Sequence, residues 1–255
     1  MKKGLIVKFL VILALVGVMM IGSSCKKTPG ENATEQPKEE NSGTVVQEAP
    51  EEAEPAADLV PIDIELPKPM FVGTPQNIQV PNLEKPLGKP RPAFLAPAGT
   101  TNVAFGKPIS SSDEEPIIGE IEMITDGDKE AADGSYVELG PFIQDATIDL
   151  GAKHEIYAIV MWHFHKQARV YFDVVVQVAD DADFVSNVQT VFNNDHDNSA
   201  GLGIGTDMHY VETSEGKLID AKGVRGRYVR LYSGGNSNND LNHYIEVEVY
   251  GKAAQ

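Results

Sequence analysis

An all-β domain, a sandwich of short strands, is the fold class this sequence predicts, and three observations predict it. Residues 242–251 read NHYIEVEVYG, where Ile245, Val247 and Val249 alternate with Glu246, Glu248 and Tyr250. That period of two, with β-branched residues on one face, marks a half-buried strand, because successive side chains leave the pleat on opposite sides. Similar short runs recur from residue 101 onward, separated by Gly-, Asn- and Asp-rich stretches that suit turns. Helical periodicity is scarce over the same region, and no repeat of roughly 20–50 residues is present.

The elements follow in chain order. Lys2 and Lys3 form a positive start, Leu5 to Ile21 is apolar apart from Lys8 and the glycines, and Gly22-Ser-Ser-Cys25 closes the run with small residues. This is the pattern of an export signal over residues 1–25. Residues 26–60 set nine acids against three lysines and lack aromatics. Such a segment cannot bury enough apolar surface to offset its ordering entropy, and it reads as linker. Thirteen of the 16 prolines lie between Pro29 and Pro97. Each fixes φ and removes a backbone donor, so residues 61–97 read as an extended spacer, although the alternation of Ile62, Ile64 and Leu66 leaves open a short strand or an extended arm lying on the domain.

From Gly99 the strands begin. They are expected over 101–105, 136–139, 146–150, 155–163, 171–179, 191–193, 227–232 and 242–251, with 117–124 fitting either a strand or a helical turn. The domain is expected over 99–252, with 253–255 as a tail. Trp162, ending the apolar run EIYAIVMWH, is expected in the core.

Composition bounds the function. The net charge of −17 opposes nucleic-acid binding, whose affinity comes from Lys and Arg neutralising phosphates, and it favours cations instead. The single cysteine excludes an intrachain disulfide. No G-x-S-x-G elbow, HExxH helix or Cys–His pair outside the signal is present, so the chain is not expected to be an enzyme. The GLGIG run at 201–205 lacks the spacing of a dinucleotide fingerprint.

Three groups of residues carry chemistry. Asp126-Gly-Asp128 sets two carboxylates about a glycine, an arrangement that either holds a hard cation or simply turns the chain. Asn193–Asn198 with Asp207 forms a second oxygen-rich loop, suited to a cation, to sugar hydroxyls or to solvent. His163 and His165 project to one face, but without a third ligand they make a poor zinc site. With Arg169, Asn194, His196, Asn236, Asn238 and His243 they instead supply donors and acceptors for sugar hydroxyls on exposed loops.

Five blocks in order carry a family likeness: Asn102-Val-Ala-Phe-Gly-Lys-Pro108, Ile124-Thr-Asp-Gly-Asp128, Ile148-Asp-Leu-Gly151, Arg227-Tyr-Val-Arg-Leu231 and Glu246-Val-Glu-Val-Tyr-Gly251. Together they resemble the discoidin domains (coagulation factor V/VIII type C), which overlap with the family 32 carbohydrate-binding modules. The resemblance implies a jelly-roll β-sandwich of the galactose-binding-like fold, with ligand residues on loops at one end. It also implies a structural calcium held by the Met123 carbonyl, Asp126, Asp128 and Glu246 with the Ile245 carbonyl, Ser135 being the nearest hydroxyl. Gly22–Cys25 resembles a bacterial lipobox, which implies acylation of Cys25 and residence on a membrane surface of the cell envelope. The expected function is a calcium-stabilised, non-catalytic carbohydrate-binding or adhesion module whose partner is a glycan. The alternative is a structural domain that docks a protein in an envelope complex. Mass spectrometry of the mature protein is expected to find acylated Cys25 as its first residue; a chain starting elsewhere, or a free Cys25 thiol, overturns the anchor.

Overall fold

The computed structural model describes residues 58–73 and 77–254. The expected signal segment, Cys25 and the expected linker through residue 57 lie outside them. Eleven strands and one 3-10 turn make up the regular structure of the described residues. The strands are β1 (Leu59–Pro61), β2 (Leu95–Pro97), β3 (Thr101–Asn102), β4 (Ile109–Ser111) and β5 (Val137–Pro141). After these come β6 (Gln144–Trp162), β7 (Val175–Ala179), β8 (Gln189–Asn193), β9 (Lys217–Ser233), β10 (Leu241–Tyr244) and β11 (Glu246–Ala253). The ambiguous run at 117–124 resolves into a bridge from Ile118 to Glu138 and the 3-10 turn Ile121–Thr125.

One layer is an antiparallel seven-stranded sheet in the order β3-β11-β6-β9-β7-β8, with β4 on the edge of β6 ahead of β11. Its axis is β6, which pairs β9 along one edge and β4, then β11, along the other. Two separate strands were expected where β6 runs unbroken for 19 residues. The interruption that suggested two strands, Gly151 at φ 82, is an irregularity in the ladder, with the register to β9 shifting between Asp149 and His154. The second layer is the β10–β5 pair, extended by the bridges Ile118 to Glu138 and Tyr171 to Asn236. This architecture is the all-β sandwich that the alternating runs predicted.

The core between the layers holds Ile156, Ile159 and Met161 of β6, Val229 and Leu231 of β9, and Val247 and Val249 of β11, all at most 1% exposed except where noted. From the second layer it takes Val137, Leu139, Tyr171 and Tyr244. The other face of the large sheet is apolar too. Ala158, Val160 and Trp162 project there with Ile245 and Tyr250, so Trp162 is buried on the outer face and not between the layers.

The proline-rich segment covers that face. β1 pairs antiparallel with β2, Ile62 N–H donates to the Phe94 carbonyl, and Ile62, Ile64, Phe94 and Ala96 pack on Trp162, Val160 and Ala158. Further along, Glu84 and His209 are joined through the backbone, Lys217 Nζ lies 2.9 Å from Glu84 Oε2, and Arg91 Nη1 donates to the Gly216 carbonyl. Gly216 sits so close that a Cβ would meet the Trp162 ring at 2.8 Å. The spacer of the sequence reading is thus an extended arm lying on the sheet. Prolines forbid it from joining the ladder but not from presenting Ile62 and Phe94 to it.

Burying an Ile side chain contributes about 1.5–3 kcal/mol, and truncating it leaves a cavity besides. Ile62→Ala is therefore expected to lower stability by about 2–4 kcal/mol. Trp162, the only tryptophan, is expected to shift its emission to longer wavelength in a fragment beginning at residue 99. Unchanged emission and melting in that fragment would show the arm to be ornamental.

Candidate functional site

Three of the loops singled out in the sequence meet along residues 169–174. Ser237 N–H donates to the Val170 carbonyl, Phe172 N–H to Gly235 and Gly234 N–H to Phe172, which ties the Asn236 loop to this segment. On its other side Asn194 N–H donates to the Val174 carbonyl, and Val174 N–H donates to Asn194 Oδ1 at 2.8 Å. Asp173 turns the segment at φ 52, which ends the run of extended residues before β7 begins. Carboxylate oxygens of Asp173, Asp195 and Asp197 come within 4.8 Å of one another here. Asp195 is already committed: its oxygens accept the Ser199 and Ala200 N–H groups.

The same end carries a residue the sequence reading missed. Phe142, at the tip of the β5–β6 turn, is 83% exposed and adopts φ 70. A bulky residue in the left-handed region costs of order 1–3 kcal/mol and persists only when its surroundings impose it. Asn242 imposes it. Fully buried, Asn242 donates through Nδ2 to the Gly140 and Phe142 carbonyls at 2.8 and 2.9 Å, while its Oδ1 accepts Gly235 N–H. Next along the chain, Ile143 and Asp173 both close on Gly234, where a Cβ would lie 2.7 Å from the first and 2.5 Å from the second. The result is a projecting aromatic ring on a turn whose Pro141 pairs with Leu241, directly after the exposed Asn238, Asn239 and Asp240. An aromatic at the tip of a Pro-Phe-Ile turn between two strands was the available signal.

The histidines are placed elsewhere. His163 and His165 have no exposed surface, Arg169 is 9% exposed and His243 2%. These four were expected on exposed loops; instead the chain after β6 runs beneath the second layer and takes them inside. His163 stacks on Tyr171 at 4.1 Å and bonds through Nδ1 with Glu212 and the Tyr210 hydroxyl, each at 3.3 Å. His165 Nε2 donates to the Lys129 carbonyl. Arg169 lies over the Phe164 ring and 3.5 Å from His243 Nε2, which is 2.9 Å from Glu138. Asn194 and Asn236 are likewise buried and spent on the backbone, Asn236 bonding to Asn238, Asn239 and Leu241 of its own loop. His196 is half-buried, edge-on to His209. Of the predicted ligand residues, Asn238 alone is exposed.

This interior is electrically quiet. Burial, with His243 nearby, holds His163 at a pKa of about 3, and burial with Arg169 holds His243 at about 4, outweighing the Glu138 carboxylate. Burial also pushes Glu212 well above the carboxylate range. Burial thus disfavours the charged form of both partners in the His163–Glu212 hydrogen bond.

Of the residues expected to hold calcium, the Asp126–Asp128 loop reaches β11 through the bond from Gly127 N–H to Glu246, and among the described residues the three acids do not gather as Asp173, Asp195 and Asp197 do. Glu246 is fully buried; Oε2 accepts Gly127 N–H at 3.1 Å and Oε1 has no partner. Burial, then Glu248 and Asp126, push its pKa up to about 9. An unpartnered buried carboxylate oxygen facing a second acid fits a hard cation. Asp126 Oδ1 and Asp128 Oδ1 accept the N–H groups of Asp128 and Glu130, so each also turns its own loop. The Met123 carbonyl meets Asp126 N–H only at 3.5 Å, Ile245 donates its N–H to Trp162, and Ser135 bonds through its N–H to Ala132.

Proton binding by this interior makes stability depend on pH. His163 and His243 fold with pKa values of about 3 and about 4, below the ordinary 6.5, so the unfolded chain binds more protons in that window. Their contribution is full above 6.5 and is lost as pH falls. Glu212 and Glu246 act oppositely, their contribution fading as pH rises above the ordinary 4.5. In denaturant titrations between pH 4 and 6.5, His243→Gln is expected to make the slope of stability against pH less positive than in the parent; an unchanged slope overturns the assignment.

No protein-family model matches the chain, and no curated protein matches it. Solved structures do. A chitosan-binding module from a chitosanase/glucanase of Paenibacillus sp. IK-5 matches at 19% identity and TM-score 0.43, over 59% of this chain and 99% of that one. A fucose-binding module of Streptococcus pneumoniae matches at 20% identity and TM-score 0.42, over 59% and 97%. A family 89 glycoside hydrolase from Clostridium perfringens matches at 20% identity and TM-score 0.43, over 60% of this chain but only 15% of its own length. The chain thus spans a small part of that hydrolase and nearly the whole of the two modules, while the sandwich itself rests on the strand order and register described above.

Proposed function

We propose that this chain is a non-catalytic glycan-binding module, held at the bacterial cell envelope through Cys25 and steadied by calcium. The observation that carries the reading is the Phe142 ring, projecting at 83% exposure on a backbone conformation that buried Asn242 enforces. A sugar ring has one face of C–H groups and a rim of hydroxyls. An exposed aromatic takes the face, and amides and carboxylates at the rim take the hydroxyls, which cost roughly 1–3 kcal/mol each if buried unpaired. Asn238, Asn239 and Asp240 stand at that rim. The chitosan- and fucose-binding names of two solved relatives agree with this choice of ligand class. Calcium is supported by the unpartnered Glu246 oxygen and the adjacent Asp126.

The experiment is a glycan array on the mature protein, followed by calorimetry on the best neutral or galactose-type hit. Binding is expected to be weak, with no sugar released. Phe142→Ala is expected to weaken it at least about tenfold, or 1.4 kcal/mol, without lowering the melting temperature, since the ring packs on little. Asn238→Ala is expected to act likewise, whereas His165→Ala should damage the fold because that ring is buried. Full binding by Phe142→Ala would move the site elsewhere. An array without hits would favour the protein-docking alternative, and released sugar an enzyme.

A further inference from the structure

The outward row of β11 is Glu246, Glu248 and Tyr250, which are 0%, 6% and 5% exposed. Two acids on the outer face of a sheet ordinarily meet solvent, but here two separate elements close over them. One is the loop Gly127–Glu130: Gly127 N–H donates to Glu246, and Lys129 Nζ lies 2.9 Å from Glu248 and over the Trp162 ring. The other is the arm, whose Asp63 carbonyl accepts the Tyr250 hydroxyl, itself 2.8 Å from Glu248. The two covers also touch each other, because Lys68 N–H of the arm donates to Glu130 Oε1. Between them lies a cavity of about 160 Å³ lined by Glu65, Leu66 and Pro67 on the arm side and Gly127–Glu130 on the loop side.

We propose that the arm is a cation-gated latch. A divalent cation taken up at Glu246 and the Asp126–Asp128 loop fastens arm residues 62–68 to the sheet, and its loss frees them. The inference rests on the calcium reading above and goes beyond it by giving the ion a consequence outside its own ligands. Lys129 serves Glu248, which leaves Glu246 Oε1 without a counter-group. An ion there neutralises both acids and draws the loop onto β11, and the loop carries the Glu130 oxygen that the arm binds. The cavity is lined by Asp128 on the loop side and Glu65 on the arm side, so each cover brings a carboxylate to the same space. Linkage makes the effect mutual: if the ion holds the arm, the arm raises the affinity for the ion by the same factor.

The test is hydrogen exchange of the mature full-length protein in calcium and in chelator, with calcium binding measured separately by calorimetry. Calcium is expected to slow exchange at residues 62–68 by roughly fivefold or more, the range of an allosteric coupling. Glu130→Ala is expected to bind calcium and yet lose the slowing. Glu246→Gln, or Asp126→Asn should the first fail to fold, is expected to lose both. Calcium bound with arm exchange unchanged overturns the latch and leaves the calcium reading standing. No calcium bound overturns both.

Discussion

Every cover in this molecule answers one constraint: the long strand β6 has two apolar faces, and water must be kept from each. Ile156, Ile159 and Met161 point to one side, and Ala158, Val160 and Trp162 to the other. A two-layer sandwich shields only the first. The second would leave a contiguous apolar patch centred on Trp162, the kind of surface that soluble monomers rarely expose. The arm from β1 to β2 and the Gly127–Glu130 loop close it. They reach over β11 to do so, which is why Glu246 and Glu248 end up buried on a strand whose alternation promised them solvent.

Much of the sandwich was legible because period-two alternation reports directly on a pleat. The strand at 227–232 and the run after Glu155 lie where the alternation put them, although β9 begins ten residues earlier and β6 absorbs two predicted strands, while the closing run expected over 242–251 divides into β10 on the small sheet and β11 on the large one. What alternation cannot report is the far side of a strand. Glu246 and Glu248 look solvent-facing in sequence because their covers lie more than a hundred residues away. The arm was the less favoured reading of residues 61–97 for a related reason: prolines do forbid a ladder, but Ile62 and Phe94 need only a groove.

The proposed ligand face was less legible than the frame. His163, His165, Arg169 and His243 looked like binding-loop residues because polar side chains beside turn chemistry usually are exposed. Here Tyr210, Glu212 and Glu138 arrive from distant parts of the chain to bond His163 and His243, and no local pattern announces that. Asn236 and Asn242 were read as reaching outward or passed over, while in the fold both are spent holding backbone. Phe142 was overlooked because a single aromatic in a turn carries no period. Its meaning comes from the left-handed backbone and from Asn242 a hundred residues on.

The arm also decides how the molecule bears a mechanical load. A chain held by its N-terminus and pulled at its ligand face transmits force first to β1 and β2, a ribbon of three residues a side with register Leu59 to Pro97. The seven-stranded sheet, by contrast, is locked by the 19-residue β6 and the 17-residue β9. Under tension the ribbon and the contacts of Ile62, Asp63 and Lys68 yield before any strand of the sandwich moves. Peeling the arm back to residue 94 would release more than thirty residues of slack while the Phe142 face stays intact, so under the proposed anchoring the arm would act as a shock absorber in series with the proposed ligand face.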